Sequence, residues 1–200
     1  GAPVRRGRGS AHLVGTGQNG VTAGERLGAV IGADYVVLGV ARIPGEVTEP
    51  GLITHTAPMD TLIFGEAGGG SSDRVEALRA ALEEAGTTPM VPQNIMHELW
   101  GKFCSQSSLA SLTTLLQSDL GPIRDCPESA ELFKNAIREA EAVGRAIVPD
   151  LPADMLERDW AFVSNLPPTM HCPLYPSDAS GEKRGGHHGG RRRRGKTTRD

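Results

Sequence analysis

An α/β unit followed by an all-α segment is the fold class that this sequence predicts. Three observations carry it. Short β-branched or apolar runs bounded by Gly and Pro recur before residue 92, and an amphipathic helix stands among them. Beyond Pro89 and Pro92 the periodicity turns helical and stays so to Pro167. Alternating strand and helix followed by a run of helices reads as two domains.

Residues 36–41 (VVLGVA), 52–55 (LITH) and 61–66 (TLIFGE) are the expected strands. The tract 42–51 between the first two holds Pro44, Gly45, Pro50 and Gly51, which suits a turn. Residues 73–86 then read as a helix. Asp73 and Glu76 are its capping pair, Val75, Leu78, Leu82 and Ala85 its apolar stripe, and Gly86 its stop. Residues 94–118 lack proline and predict a long helix, and 119–127, with Gly121, Pro122 and Pro127, predict a turn-rich break. Asp125 and Glu128 open the next helix, with stripe Leu132, Ala136, Ala140, Val143 and Ile147, ended by Pro149. A last helical pattern carries Leu156, Trp160 and Val163.

Charge is divided unevenly. Residues 11–170 hold 10 Lys and Arg against 21 Asp and Glu, while residues 1–10 and 171–200 are basic. An acidic middle gives no reason to expect a nucleic-acid partner. The Gly/Arg-rich tail 171–200 cannot bury apolar area and is expected to be disordered. Its Arg191–Arg194 run reads as a solvated tail rather than a polyanion site. Cys104, Cys126 and Cys172 are odd in number and widely spaced, so neither a disulfide framework nor a metal site is indicated. A cytoplasmic location fits best. No run of roughly 18 apolar residues is present, so no membrane partner is expected.

Gly15-Thr16-Gly17-Gln18-Asn19-Gly20 matches the dinucleotide fingerprint GxGxxG. Only Leu13 and Val14 precede it as strand-like residues, and Asp34 follows too soon for a ribose-binding acid. The other reading makes Gln18-Asn19-Gly20 a strand-end turn with Asn19 aimed into a cleft. Lys102 shares a helical stripe with Ile95, Leu99, Gln106, Leu109, Ala110 and Thr113. A lysine there either snorkels to water or lines a cleft, where burial would make it a proton donor. His55, His97 and Trp100 read as structural, and Glu139 and Glu141 as solvent-facing.

Several segments, taken together and in order, resemble the ketopantoate reductases (2-dehydropantoate 2-reductases). These are Gln18-Asn19-Gly20-Val21 with Glu25-Arg26-Leu27, residues 45–55, residues 61–66 and, above all, Glu98-Leu99-Trp100-Gly101-Lys102-Phe103. The resemblance covers residues 18–170. It implies the latter part of a Rossmann-type NADP-binding domain over 18–92, joined to the start of a helical, 6-phosphogluconate-dehydrogenase-like domain over 93–170. It further implies NADPH as cofactor and a small 2-oxo acid as substrate, reduced to the 2-hydroxy acid as in pantothenate biosynthesis. A homodimer through the helical domain is among the assemblies it permits.

By motif match the resemblance makes Lys102 catalytic, places Asn19 beside nicotinamide and substrate, and sets Glu46 in a cofactor-contacting loop. Gln106 and Ala110 stand where the family commonly has substrate-holding asparagines, so a related 2-oxo acid enters consideration. The family's further active-site serine and glutamate would follow Pro168-Thr169-Met170, where His171-Cys172-Pro173 and Gly/Arg-rich sequence stand instead. Residues 1–17 and 171–200 therefore read as foreign to the family, as out-of-frame or misassembled sequence would. The alternative to an enzyme is an inactive fragment or non-catalytic binding module lacking the nucleotide-binding half. Without that half, this chain alone is expected to show no NADPH fluorescence enhancement and no ketopantoate turnover, and measurable Lys102-dependent turnover would overturn that expectation.

Overall fold

Residues 13–56 and 58–171 are described by the computed structural model. The segments 1–12 and 172–200 lie outside the described residues, and with them the expectation of a disordered tail. Strand β1 (Val14–Thr16) leads through helix α1 (Ala23–Ile31) and a 3-10 turn (Ala33–Tyr35) into β2 (Val36–Arg42), which pairs parallel to β1. The hairpin β3 (Gly45–Glu49) and β4 (Leu52–His55) stands apart as its own two-stranded sheet. Strand β5 (Thr61–Gly65) then returns antiparallel to β2. Helix α2 (Asp73–Glu84) carries the chain to β6 (Thr88–Met90), parallel to β5, so the main sheet runs β1-β2-β5-β6.

The central strands β2 and β5 are buried on both faces, and the strand period of two sorts their side chains. Val36, Leu38, Val40 and Ile63 join Ile31, Ile95 and Leu99 on one face; Val37 and Phe64 meet Val75 of α2 on the other. Glu66, at the end of β5, anchors α2. Its carboxylate accepts from Arg74 Nε at 2.7 Å and Ser72 Oγ at 2.6 Å, and that pairing holds its pKa below the usual carboxylate range.

The helical segment comprises α3 (Ile95–Leu116), α4 (Leu120–Asp125), α5 (Pro127–Ile147) and α6 (Met155–Ser164). Asn94 caps α3, accepting from Met96 N at 3.0 Å. One side of α3 packs Ile95 and Leu99 on the sheet. The other packs Trp100, Cys104, Leu109 and Leu112 against Phe133, Ile137, Leu151, Met155 and Val163. This helix is therefore the wall shared by both cores. Among the described residues, no helix is long and apolar enough to cross a membrane.

Several sequence expectations need correction. The cap of α2 is Ser72, which accepts from Val75 N, and Asp73 is the first helical residue. Strands β1, β3 and β6 were hidden in tracts that read as a glycine loop, a turn and a boundary. Each is three to five residues long. Pro89 is tolerated because β6 is an edge strand. The break at 119–127 contains the short helix α4, whose Pro122 sits in the first turn, where a missing N–H costs little. On α5 the buried face is Ala130, Phe133, Ile137 and Gly144, while Leu132, Val143 and Ile147 are exposed. Both stripes are periodic in sequence, and tertiary packing selects between them.

Candidate active site

The loop after β1, the middle of β2 and one face of α3 enclose a cleft of ≈ 280 Å³. Gln18, Asn19 and Gly20 come from the loop, Gly39 and Val40 from the strand, and Leu99, Lys102, Phe103, Gln106, Ser107 and Ala110 from the helix. The turn reading of Gln18-Asn19-Gly20 thus matches the geometry. Gly20 has φ +102°, a backbone angle that a side chain would strain. At Gly39 a Cβ would stand 2.8 Å from the Thr16 carbonyl oxygen, so glycine lets the two strands meet at the floor of the cleft.

The fingerprint reading gains a strand, since β1 does precede the loop, but it loses its packing logic. In a dinucleotide fingerprint the third glycine lets helix and strand pack closely. A Cβ at Gly15, Gly17 or Gly20 would meet nothing within 4 Å, and the close approach of α1 to β2 lies at Gly24 against Leu38.

Lys102 is half-buried in the cleft wall. Its Nζ donates to the Ala41 carbonyl oxygen at 2.7 Å. Burial lowers its pKa from the ordinary lysine value, and the nearby Arg42 charge lowers it further. The ammonium is thereby made a readier proton donor. Gln106, one turn on, is exposed at the cleft and keeps an amide there, whereas Ala110 offers only a methyl group. The Ser107 hydroxyl donates back to the Phe103 carbonyl at 2.6 Å, which leaves its oxygen free to accept. Sequence reasoning missed Phe103, Val40 and Gly39; the mid-strand glycine of VVLGVA was the available signal. Glu46 lies in β3 opposite Thr54, and its side chain is outside the described set.

The remaining singled-out residues are accounted for locally. His55 Nε2 contacts the Met59 carbonyl at 2.9 Å, and His97 Nε2 contacts Asp150 at 3.0 Å. Trp100 is a core residue at 2% exposure. Glu139 is exposed as expected, but Glu141 is half-buried and paired with Arg145.

A second cleft of ≈ 160 Å³ lies beyond the lysine, lined in part by Arg42, Glu98, Arg158, Asp159 and Phe162. Asp159 is 9% exposed, and its Oδ2 has no hydrogen-bond partner among the described residues. Burial pushes its carboxyl up to about 7. The folded state therefore holds this proton more tightly than the unfolded chain, and stability falls as pH rises between 3.8 and about 7. Asp159→Asn is expected to remove that loss. Thermal melts should show the variant gaining on the parent at pH 8 and not at pH 4; an advantage independent of pH would contradict the assignment.

The family described as "Ketopantoate reductase PanE/ApbA C terminal" matches residues 94–177, running past the change of composition near residue 170. An uncharacterized oxidoreductase, YkpB, of Bacillus subtilis is 28% identical over 144 residues, covering 72% of this chain and 47% of that protein. A 2-dehydropantoate 2-reductase of Mesorhizobium japonicum is 30% identical over 135 residues, covering 68% of this chain and 41% of its own. The crystal structure of 2-dehydropantoate 2-reductase from Methylococcus capsulatus superposes with a TM-score of 0.66 at 30% identity, over 78% of this chain and 50% of that one. The chain spans about half the length of the curated relatives it matches.

Proposed function

Because this chain belongs to the ketopantoate reductase family, we propose that its cleft is the proton-donating, substrate-holding side of an NADPH-dependent 2-oxo acid reductase. The substrate is 2-dehydropantoate or a related 2-oxo acid, and the product is the 2-hydroxy acid, as in cytoplasmic pantothenate biosynthesis. One observation carries this reading: a half-buried lysine of lowered pKa stands in a cleft with the turn amide of Asn19. In this reading residues 18–92 belong to the cofactor domain and 93–170 to the helical substrate domain. A homodimer through the helices is part of it, and the exposed Leu132, Val143 and Ile147 of α5 support an apolar contact there.

The described lining fits the nicotinamide end of the cofactor. Gly39 and Val40 give an apolar floor, and Asn19 adds an amide at the rim. Lys102 is the one cation among the described lining residues, so no phosphate partner is assigned to them. When bound, NADPH supplies the hydride that reaches C2 of the ketone.

Lys102 does the rest of the chemistry. Its ammonium hydrogen-bonds the ketone oxygen, polarises it and passes a proton to it as the alkoxide forms. The Ala41 carbonyl holds the ammonium in place beforehand. Gln106 offers its amide N–H groups to the acceptor oxygens of the acid, and Leu99, Phe103 and Ala110 close around its apolar part. Glu46 is assigned to the cofactor through its place in the hairpin.

The test is NADPH oxidation with ketopantoate and, in parallel, with the same acid lacking its terminal hydroxyl. Turnover of at least one, dependent on Lys102, is expected. Because Ala110 cannot hydrogen-bond that hydroxyl, the two acids are expected to differ little in kcat/KM. No turnover of either acid together with no NADPH fluorescence enhancement favours the binding-module reading.

A further inference from the structure

Glu98 stands four residues before Lys102 on α3, the spacing at which a glutamate ordinarily pairs with a lysine one turn on. The pair is not made. Glu98 Oε2 faces Arg42 Nη2 at 3.4 Å and its Oε1 faces Arg158 Nη2 at 3.9 Å, while Lys102 Nζ donates to the Ala41 carbonyl at 2.7 Å. Two consecutive residues at the end of β2 thus take up the two partners separately. Ala41 takes the ammonium through its backbone, and Arg42 takes the carboxylate through its side chain.

We propose that Arg42 is a positioning residue for Lys102: by occupying Glu98 it keeps the ammonium off its own helix and directed into the cleft. This rests on reading Lys102 as the working group of that cleft. The geometry suits arginine. Its planar fork engages a carboxylate in-plane while its face stays free, and the Arg42 guanidinium carbon lies 5.5 Å from the centroid of the Phe162 ring. Phe162 and Arg158 both come from α6, so the last described helix helps to hold the separator in place. An exposed ion pair alone would contribute little. Here Arg42 and Glu98 are 34% and 22% exposed, and Arg42, Arg158 and Lys102 all stand within reach of one carboxylate, so position decides the outcome.

The ammonium is left with a neutral carbonyl in place of a counter-charge, in keeping with the lowered pKa that burial first and Arg42 second give it. The charged groups around this strand end are Arg42 from β2, Glu98 from α3, and Arg158 and Asp159 from α6.

The chain has four lysines, Lys102, Lys134, Lys183 and Lys196, so reductive 13C-methylation gives a tractable NMR titration, with Lys102 assigned by Lys102→Arg. Lys134 serves as a built-in fold reporter, because its ammonium lies 4.7 Å from the centroid of the Trp160 ring and its methyl signal is ring-shifted only in the folded chain. Arg42→Met is expected to raise the Lys102 titration midpoint as Glu98 captures the ammonium. Adding Glu98→Gln should bring the midpoint back down, by more than Glu98→Gln lowers it in the parent. A midpoint that stays or falls in Arg42→Met, with the Lys134 signal intact, overturns the inference. Should that signal be lost, Arg158→Met takes its place. Arg158 is 54% exposed, and a smaller rise is expected on its removal; no rise overturns the inference equally. The titration needs no substrate, so failure of the reductase reading leaves it standing, and its own failure leaves the turnover assay untouched.

Discussion

Lys102→Ala is expected to lower kcat/KM for NADPH-dependent ketopantoate reduction by roughly 10²- to 10⁴-fold, the range over which a positioned general acid contributes. The alkoxide that forms at the ketone oxygen needs a proton. Among the described residues lining the cleft, Lys102 is the cation that can supply one. Lys102→Arg separates charge from proton. A guanidinium keeps the positive charge but does not release its proton in a protein, so the loss should fall on kcat more than on KM. The parental rate should also fall as pH rises through the lowered Lys102 midpoint, because only the ammonium form has a proton to give. A Lys102→Ala variant turning over at the parental rate would remove the lysine from the chemistry.

Trp100→Ala is expected to destabilise the fold by about 3–5 kcal/mol, the cost of emptying a large aromatic site in a packed core. The indole is 2% exposed, stacks edge-on with Phe103 at 5.5 Å, and fills the space above Gly144, where a Cβ would come within 2.8 Å of the ring. It sits two residues before Lys102, so the same ring that joins α3 to α5 also sets the pitch of the stretch that carries this lysine. Its Nε1 is buried without a hydrogen-bond partner among the described residues. Trp100→Phe therefore gives up volume but no hydrogen bond and should cost much less than alanine. Urea midpoints at constant slope measure both. A loss below about 1 kcal/mol for alanine would mean that the ring is not packed as described.

Sequence patterns reached some parts of this molecule and not others, for physical reasons. Strands β2, β4 and β5 were legible as continuous β-branched or apolar runs bounded by Gly and Pro, helices α2 and α6 because apolar residues recur at helical spacing, and α3 because no proline interrupts it. Strands β1, β3 and β6 were not, since Gly, Pro or charged residues interrupt their apolar positions and read as turns. The buried face of α5 was misassigned because that helix has apolar residues on two sides, and only the neighbouring helices choose Phe133 and Ile137 over Leu132 and Val143.

The site divides the same way. Lys102 stood out as a charge on an apolar stripe, and Asn19 as a turn residue beside a glycine that needs positive φ. Arg42 and its partner Glu98 lie 56 residues apart, and the burial of Asp159 depends on helix packing. Neither leaves a local trace in the sequence.

Everything proposed for this cleft requires that a 2-oxo acid bind at Lys102, between the Asn19 turn and α3. Amide NMR of the chain titrated with ketopantoate tests it most directly. Saturable shifts concentrated at Asn19, Gly20, Lys102 and Gln106 are expected, and they should be lost in Lys102→Ala. Shifts centred instead on the Arg158–Asp159 cleft, or none at the four cleft residues, would contradict it.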